Sequence, residues 1–124
     1  MSPTRMARIE SALRAVLEFT DALNRHDVAG MMRRVSETCV FESAGPPPDG
    51  AVYSGKEAIA RFWQDFFRES PAARVEIEEA FGFGERCVLR WKWHGIPGGG
   101  HLRGVGLFRE KDGLIGEVFF YVKG

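Results

Sequence analysis

The segment Leu114–Val122 constrains the fold of this 124-residue chain more than any other. It reads Leu-Ile-Gly-Glu-Val-Phe-Phe-Tyr-Val and follows a Lys-Asp-Gly turn and a second alternating segment. Successive side chains of a strand point to opposite faces, so Val118 and Phe120 share one face while Phe119 and Tyr121 share the other. Both faces are apolar and both need cover. The protein's own helices can cover one face, and a second subunit is the better cover for the other.

The charge balance and the cysteine content exclude several classes of protein. The chain has 17 basic and 17 acidic side chains without a basic block, which argues against a nucleic-acid or anionic-membrane partner. Cys39 and Cys87 form neither a CxxC pair nor a disulfide framework. No segment has the apolar length of a signal peptide or a transmembrane helix. We therefore expect a cytoplasmic protein without a membrane anchor.

Helical spacing and turn residues predict three helices in the first 70 residues. Asp27 is expected to cap a second, short helix, and Ser54 to Glu57 fit a capping box at the start of a third helix that ends at Ser70. A short strand is predicted over residues 39–42 and a proline-rich loop over 45–50. The apolar positions that predict the first helix are Met6, Ile9, Leu13, Val16, Leu17, Thr20 and Leu23.

Long strands follow the helices. They are predicted over residues 74–83, 86–94 and 102–110 and in the final segment 114–122, with a glycine-rich loop at 95–100. Helices followed by strands indicate an α+β fold rather than an alternating α/β fold. The sequence has no repeat or linker, so we predict one domain over residues 1–124.

Three separated segments carry a resemblance to a known superfamily. They are Ala-Leu-Asn-x-x-Asp at 22–27, Tyr-x-Gly-Lys-Glu-Ala-Ile at 53–59, and Arg-Gly-Val-x-Leu-Phe-Arg at 103–109 with its following turn and strand. Together they resemble the SnoaL-like polyketide cyclase branch of the nuclear-transport-factor-2-like superfamily. The resemblance implies a cone-shaped curved antiparallel sheet wrapped around N-terminal helices, the cystatin-like α+β barrel. It also implies an apolar pocket at the open end and, in many members, dimerisation through the outer sheet face.

The resemblance does not extend to the known active sites of that superfamily. The oxyanion-hole tyrosine and aspartic acid of the steroid isomerases fall on Phe19 and Gly106, and their base falls near Ser43. The arginine and two aspartates of the epoxide hydrolases fall on Gly104, Gly106 and Phe120. Phenyl rings and glycines have no side-chain group that can donate a hydrogen bond to an oxyanion.

The sequence therefore favours a binding domain for a lipophilic small molecule, without a cofactor or a metal. Trp91 and Trp93 share the apolar face of their strand, where they either fill the core or line the pocket. Gly104 and Gly106 lack bulk where relatives carry polar side chains, which is expected to leave room for a ligand. The predicted lining is Phe19, Phe41, Phe62, Trp63, Trp91, Trp93, Gly106, Val118 and Phe120.

Two alternatives stay open on the sequence alone. One is an enzyme of the cyclase, isomerase or hydratase type that uses Ser43, Glu42 or His94 in the same pocket. The other is a cone filled by its own aromatic side chains, acting only as a dimerisation domain. His94 and His101 flank the glycine-rich loop without the spacing of metal ligands, and we interpret them as solvated.

The outer sheet face predicts a homodimer. Val105 and Leu107 project from one strand and Phe119 and Tyr121 from the next, so these four form a contiguous apolar patch. A second copy related by a two-fold axis would cover the patch with its own equivalent. Arg90 and Lys92 of the neighbouring strand are expected to form its charged rim.

Overall fold

A computed structural model describes residues 3–123 of the chain, with side chains from residue 10 onward, so the predicted apolar positions Met6 and Ile9 lie outside the described side chains. Within these residues, three helices and six strands follow one another in the predicted α+β order, with one short strand that the sequence does not predict. No helix within 3–123 is both long and apolar enough to span a membrane. The elements are α1 (Pro3–Asn24), α2 (Val28–Met32), β1 (Val35–Glu42), β2 (Val52–Ser54), α3 (Lys56–Glu69), β3 (Arg74–Phe83), β4 (Arg86–His94), β5 (His101–Lys111) and β6 (Leu114–Val122).

The six strands form one curved, open sheet in the order β2-β1-β6-β5-β4-β3. Neighbouring strands are antiparallel except β1 and β6, which pair in parallel. The long connection between these two strands allows a parallel pairing, which a short hairpin turn does not. Helix α1 lies against β3, β4, β5 and β6. The fold is thus the predicted curved sheet wrapped around N-terminal helices.

The core fills the concave side of the sheet. Helix α1 presents Val16, Phe19 and Leu23 to it, each at most 3% exposed. Strand β4 alternates as predicted, with Leu89 and Trp91 buried and the residues between them at the outer face. Complete burial of large apolar side chains of this kind stabilises a fold by about 1.5–3 kcal/mol each.

The last hairpin combines a tight turn with a bulge. Asp112 and Gly113 both have positive φ angles of 54° and 83°, as a two-residue hairpin turn requires. The consecutive residues Arg109 and Glu110 of β5 pair with Glu117 and Ile115 of β6, so Gly116 between them is an extra residue. The bulge shifts the alternation, so Ile115 and Val118 both face the core although they are an odd number of residues apart.

Three local predictions differ from the structure. The cap of α3 is Gly55 with no side-chain hydrogen bond, so the capping box is wrong: Ser54 belongs to β2, where it pairs with Val40. Strand β2 itself was not predicted, and β1 starts at Val35 instead of Cys39. By contrast Asp27 caps α2 as expected, its Oδ1 accepting a hydrogen bond from the Gly30 N–H at 2.9 Å.

Candidate functional site

A cavity of about 330 Å³ opens at one end of the cone. Its walls come from the inner faces of β1, β4, β5 and β6 and from α3, and its mouth lies between the loop after β1 and the glycine-rich loop after β4. Nearly all of the lining is apolar. The lining residues are Phe41, Ser43, Ala44, Gly45, Phe62, Trp63, Phe66, Trp91, Trp93, Ile96, Pro97, Leu102, Phe120 and Val122.

Aromatic rings hold the walls of this cavity in place. Trp63 of α3 stacks on Phe41 of β1 at a centroid distance of 5.6 Å and on Trp93 of β4 at 6.2 Å. Phe120 of β6 meets Phe41 edge to face at 5.1 Å. Edge-to-face and stacked ring pairs each contribute about 0.5–1.5 kcal/mol beyond their buried area. The walls are therefore preformed by packing between the helix and the sheet.

Six of the predicted lining residues lie in these walls and three do not. Phe19 lies deeper, where it lines a separate void of about 10 Å³ beneath the cavity. Val118 lies in the core, two residues before Phe120 on β6 and farther from the mouth. Gly106 is buried beneath the rings of Trp91, Phe108 and Phe120. The inner end of the cone is filled by side chains, and only its outer end is open.

The expectation that Gly104 and Gly106 leave room for a ligand is wrong. A Cβ at residue 106 would lie 2.9 Å from Cε1 of Phe108 and 3.1 Å from Cε1 of Phe120. A Cβ at residue 104 would meet the backbone oxygen of Tyr121 and lie 2.9 Å from the ring of Trp91. The space that these glycines free is therefore occupied by the protein's own rings and backbone.

Residues at the mouth were not predicted from the sequence. Ile96 and Pro97 belong to the glycine-rich loop and Ala44 to the proline-rich loop, and no periodic pattern places a loop residue over a pocket. Leu102 lies at the start of β5 on the same face as Gly104 and Gly106. Its place in the alternation of β5 was the one signal that pointed to the cavity.

One polar group in the cavity wall has no partner. The indole Nε1 of Trp91 is buried and makes no hydrogen bond, and it is the one such buried side-chain nitrogen or oxygen among the described residues. Ser43, by contrast, is tied to its own loop: its Oγ donates to the Gly45 oxygen at 2.7 Å and accepts from the Ala51 N–H at 3.2 Å. The lining contains no Asp, Glu, Lys, Arg or His side chain.

The residues considered for acid–base catalysis are not brought together. Only Ser43 borders the cavity. Glu42 pairs with Phe119 in the sheet and so shares its outer face. His94 lies opposite His101 on the outer face, and its Nε2 is 2.9 Å from the carboxylate of Glu76.

Neither cysteine has the environment of a nucleophile. Burial, reinforced by the charge of Glu117, raises the pKa of Cys39 from its ordinary value of 9.0 to about 12, and burial raises the pKa of Cys87 to about 11. A thiol with so high a pKa stays protonated at neutral pH and is inert. Among the described side chains, no group of three or more His, Cys, Asp or Glu residues is placed to hold a metal ion.

The outer face of the sheet has an apolar row across four strands. Leu107 lies beside Phe119 on one side and beside Val88 on the other, and Val88 lies beside Phe81, which is 52% exposed. In the next row Val105 pairs with Tyr121, which is 51% exposed. The four residues of the predicted patch are therefore adjacent on one face, as their alternation indicates.

Ion pairs within the chain flank this patch. Arg103 binds Glu78 through two hydrogen bonds of 3.0 and 2.5 Å, which lower the pKa of that carboxyl. Arg90 lies 3.4 Å from Glu79, and Glu117 binds Arg109 at 2.9 Å. Three ion pairs thus flank the patch, and the Glu42 carboxylate lies beside it next to Phe119.

A curved sheet closed by helices around an apolar cone defines the class of nuclear-transport-factor-2-like proteins. Within that class the chain belongs to the SnoaL-like domain family, which matches residues 16–118. None of the curated proteins matches the chain.

Solved structures agree with this assignment. An NTF2-like protein of unknown function from Mesorhizobium loti is 36% identical over 94% of each chain, with a TM-score of 0.84. A candidate polyketide cyclase from Sinorhizobium meliloti is 23% identical over 86% of this chain and 93% of its own, with a TM-score of 0.77. A candidate ketosteroid isomerase from Kribbella flavida is 17% identical over 94% and 80%, with a TM-score of 0.81. At these two lower identities the likeness is one of fold.

Proposed function

We propose that the protein binds a neutral, mostly apolar small molecule in the cavity at the open end of the cone, without the catalytic groups of the steroid isomerases or epoxide hydrolases. The observation that carries this proposal is the combination of a preformed cavity of about 330 Å³ with a lining that has no ionisable side chain. Small-molecule sites are typically concave, apolar and of this size. The buried rings of Trp63, Trp91 and Trp93 supply the rigid walls.

An enzyme of the cyclase or isomerase type fits the cavity less well. General acid–base catalysis needs a titratable group within hydrogen-bond reach of the substrate. Ser43 is the one hydroxyl at the cavity, and its hydrogen bonds to Gly45 and Ala51 are those of a loop-closing residue. We therefore expect no turnover of a Δ5-ketosteroid or of limonene epoxide at the rates of the enzymes that process them.

A neutral fluorescent probe tests binding directly. N-phenyl-1-naphthylamine, whose emission rises in apolar surroundings, is expected to bind the wild type saturably, to raise its Tm and to quench its tryptophan emission. Leu102→Trp places a larger ring in the cavity wall and is expected to weaken binding. Leu114→Trp, the same change at an exposed position of the β5–β6 hairpin, is the matched control. Probe binding that is equal in both variants would place the site elsewhere.

We further propose that the outer sheet face joins two copies of the chain. Val105, Leu107, Phe119 and Tyr121 form an apolar patch, and ion pairs within the chain flank it. A second copy of the same face would bring its own apolar patch against these four residues. Apolar patches that match their own copy about a two-fold axis form closed dimers.

A further inference from the structure

We propose that the indole N–H of Trp91 donates the single directional hydrogen bond to the ligand, and that the ligand is consequently a neutral apolar molecule with a carbonyl or ether oxygen at its inner end. This inference rests on the function proposed above and narrows it to a chemical class. It starts from the Nε1 atom of Trp91, which is buried without a partner.

An unpartnered buried donor is an unfavourable feature in a folded protein. Leaving such a group unsatisfied costs about 1–3 kcal/mol, and the great majority of buried polar groups are hydrogen-bonded. Trp91 carries this penalty in the unliganded protein, because its indole N–H is buried without an acceptor. A ligand oxygen that accepts the hydrogen bond removes the penalty in the bound state.

The position of Trp91 places this donor at the inner end of the cavity. Trp91, Trp93 and Phe120 line both the open cavity and the void of about 10 Å³ beneath it, so these three rings form the partition between the two spaces. A Cβ built on Gly106 would lie 3.2 Å from Nε1 of Trp91 and 3.1 Å from Cε1 of Phe120, so the two atoms are neighbours. Phe120 is thus beside the donor and at the cavity wall.

Phe120 is the least buried of these three rings. It is only half-buried, whereas Trp91 is 2% exposed, and its ring meets the indole edge to face at a centroid distance of 5.6 Å. In the complex that we propose, the Phe120 ring turns away from Gly106 while the other rings keep their packing, which joins the cavity to the void and uncovers Nε1. A ligand that enters from the mouth then reaches the donor with its leading oxygen.

The charge of the ligand follows from the same lining. A charged group in this cavity would be buried without a counter-charge, because the lining has no ionisable side chain. An unpaired buried charge is far more unfavourable than a buried carbonyl oxygen that accepts one hydrogen bond. A neutral ketone, ester or ether therefore fits the site, and a carboxylate or an amine does not.

Two probes of the same shape test the hydrogen bond. 2-Acetylnaphthalene has a carbonyl oxygen and 2-ethylnaphthalene does not. The quantity measured is the ratio of their dissociation constants in the wild type, in Trp91→Phe and in the control Trp93→Phe. We expect the preference for the ketone to fall by about three- to tenfold in Trp91→Phe and to be unchanged in Trp93→Phe. The comparison cancels the ketone's own desolvation, which is common to all three proteins.

A spectroscopic measurement on the wild type makes the test independent of how well the variants fold. The chain has three tryptophans and so three indole N–H resonances. That of Trp91 is expected to move downfield with 2-acetylnaphthalene and much less with 2-ethylnaphthalene. Equal responses to the two probes, or an unchanged ratio in Trp91→Phe, would overturn the hydrogen bond while leaving the binding function intact. If neither naphthalene binds the wild type, the binding function itself fails and this inference fails with it.

Discussion

Gly104 and Gly106 are fixed by packing rather than by backbone conformation. Neither has a positive φ angle, yet a side chain at either position would overlap neighbouring atoms. The aromatic rings of Trp91, Phe108 and Phe120 occupy the space that a Cβ would take. The space beside the two glycines is therefore filled by large rings and by backbone of adjacent strands.

Alanine substitutions at three glycines are expected to have graded effects. Gly106→Ala should lower the free energy of unfolding by about 1–3 kcal/mol, because the rings around it must shift. Gly104→Ala should lower it at least as much, since its Cβ meets the backbone of Tyr121, which is less able to move. Gly45→Ala has open space around it and is expected to change stability by no more than about 0.5 kcal/mol. Urea unfolding of the three variants measures this order, and equal effects at residues 45 and 106 would contradict it.

The two cysteines are expected to be unreactive in the folded protein. Burial keeps both thiols protonated, with a pKa of about 12 for Cys39 and about 11 for Cys87. Because these pKa values are raised, the neutral thiols contribute stability that is fully present below pH 9 and is lost as the pH rises toward 11–12. Titration with a chromogenic disulfide at pH 8 should detect no thiol before unfolding and both after it. Rapid reaction of the native protein would show that one thiol is exposed.

Among the elements, the β5–β6 hairpin carries a latch that ties it to α1. Glu110 is 4% exposed, and its Oε1 accepts hydrogen bonds from the Gly113 N–H at 2.6 Å and from the Ser11 hydroxyl at 3.1 Å. Glu110 shares the inner face of β5 with Phe108, because residues two apart on a strand point the same way. One carboxylate thus closes the turn and joins it to the first helix.

Removal of this latch is expected to destabilise the hairpin. Glu110→Ala leaves the partly buried Gly113 N–H and the Ser11 hydroxyl without their acceptor, and should lower the free energy of unfolding by about 1–3 kcal/mol. Glu110→Gln keeps one acceptor oxygen and should lose less. Glu85→Ala, at the exposed turn between β3 and β4, is the control and is expected to be nearly neutral. Hydrogen exchange of the Gly113 amide gives a second readout, and unchanged protection in Glu110→Ala would contradict the latch.

Hydrophobic periodicity and turn residues predicted most of the elements, because both depend only on residues that are close together in the sequence. Strands β3, β4 and β6 have the predicted bounds, since their alternation ends at Gly-Glu, Gly-rich and Asp-Gly turns. Strand β2 was missed because its three residues gain their order only from pairing with β1. The cap of α3 was wrong for the same reason, as Ser54 is held in that pairing. The parallel contact of β1 with β6 joins segments more than 70 residues apart in sequence and has no local signal.

At the scale of the whole molecule, the sequence predicted the faces of the cone but not its depth. Alternation placed Trp91, Trp93 and Phe120 on the inner face, and the structure puts all three at the cavity. Alternation does not say where along a strand the cone closes, so Val118 was grouped with Phe120 although it lies below the partition. Packing of α1 against the sheet sets that depth, and Phe19 on α1 fills the space beneath the cavity.

The dimer that we propose uses the outer face of the same sheet. In a homodimer through this face, Phe119 lies near the centre of the interface with Leu107 beside it. Phe119→Glu would bury a charge without a partner, so we expect the variant to be monomeric or insoluble. Leu17→Glu places the same charge on an exposed apolar residue of α1, away from the outer face, and is expected to remain dimeric. Leu107→Ala keeps the face apolar and should only raise the dissociation constant, which makes the test independent of the solubility of Phe119→Glu. Light scattering at tens of micromolar protein measures all four masses. A soluble wild-type monomer at that concentration would refute the dimer, because the apolar row from Phe81 to Phe119 would then face water without a second copy to cover it.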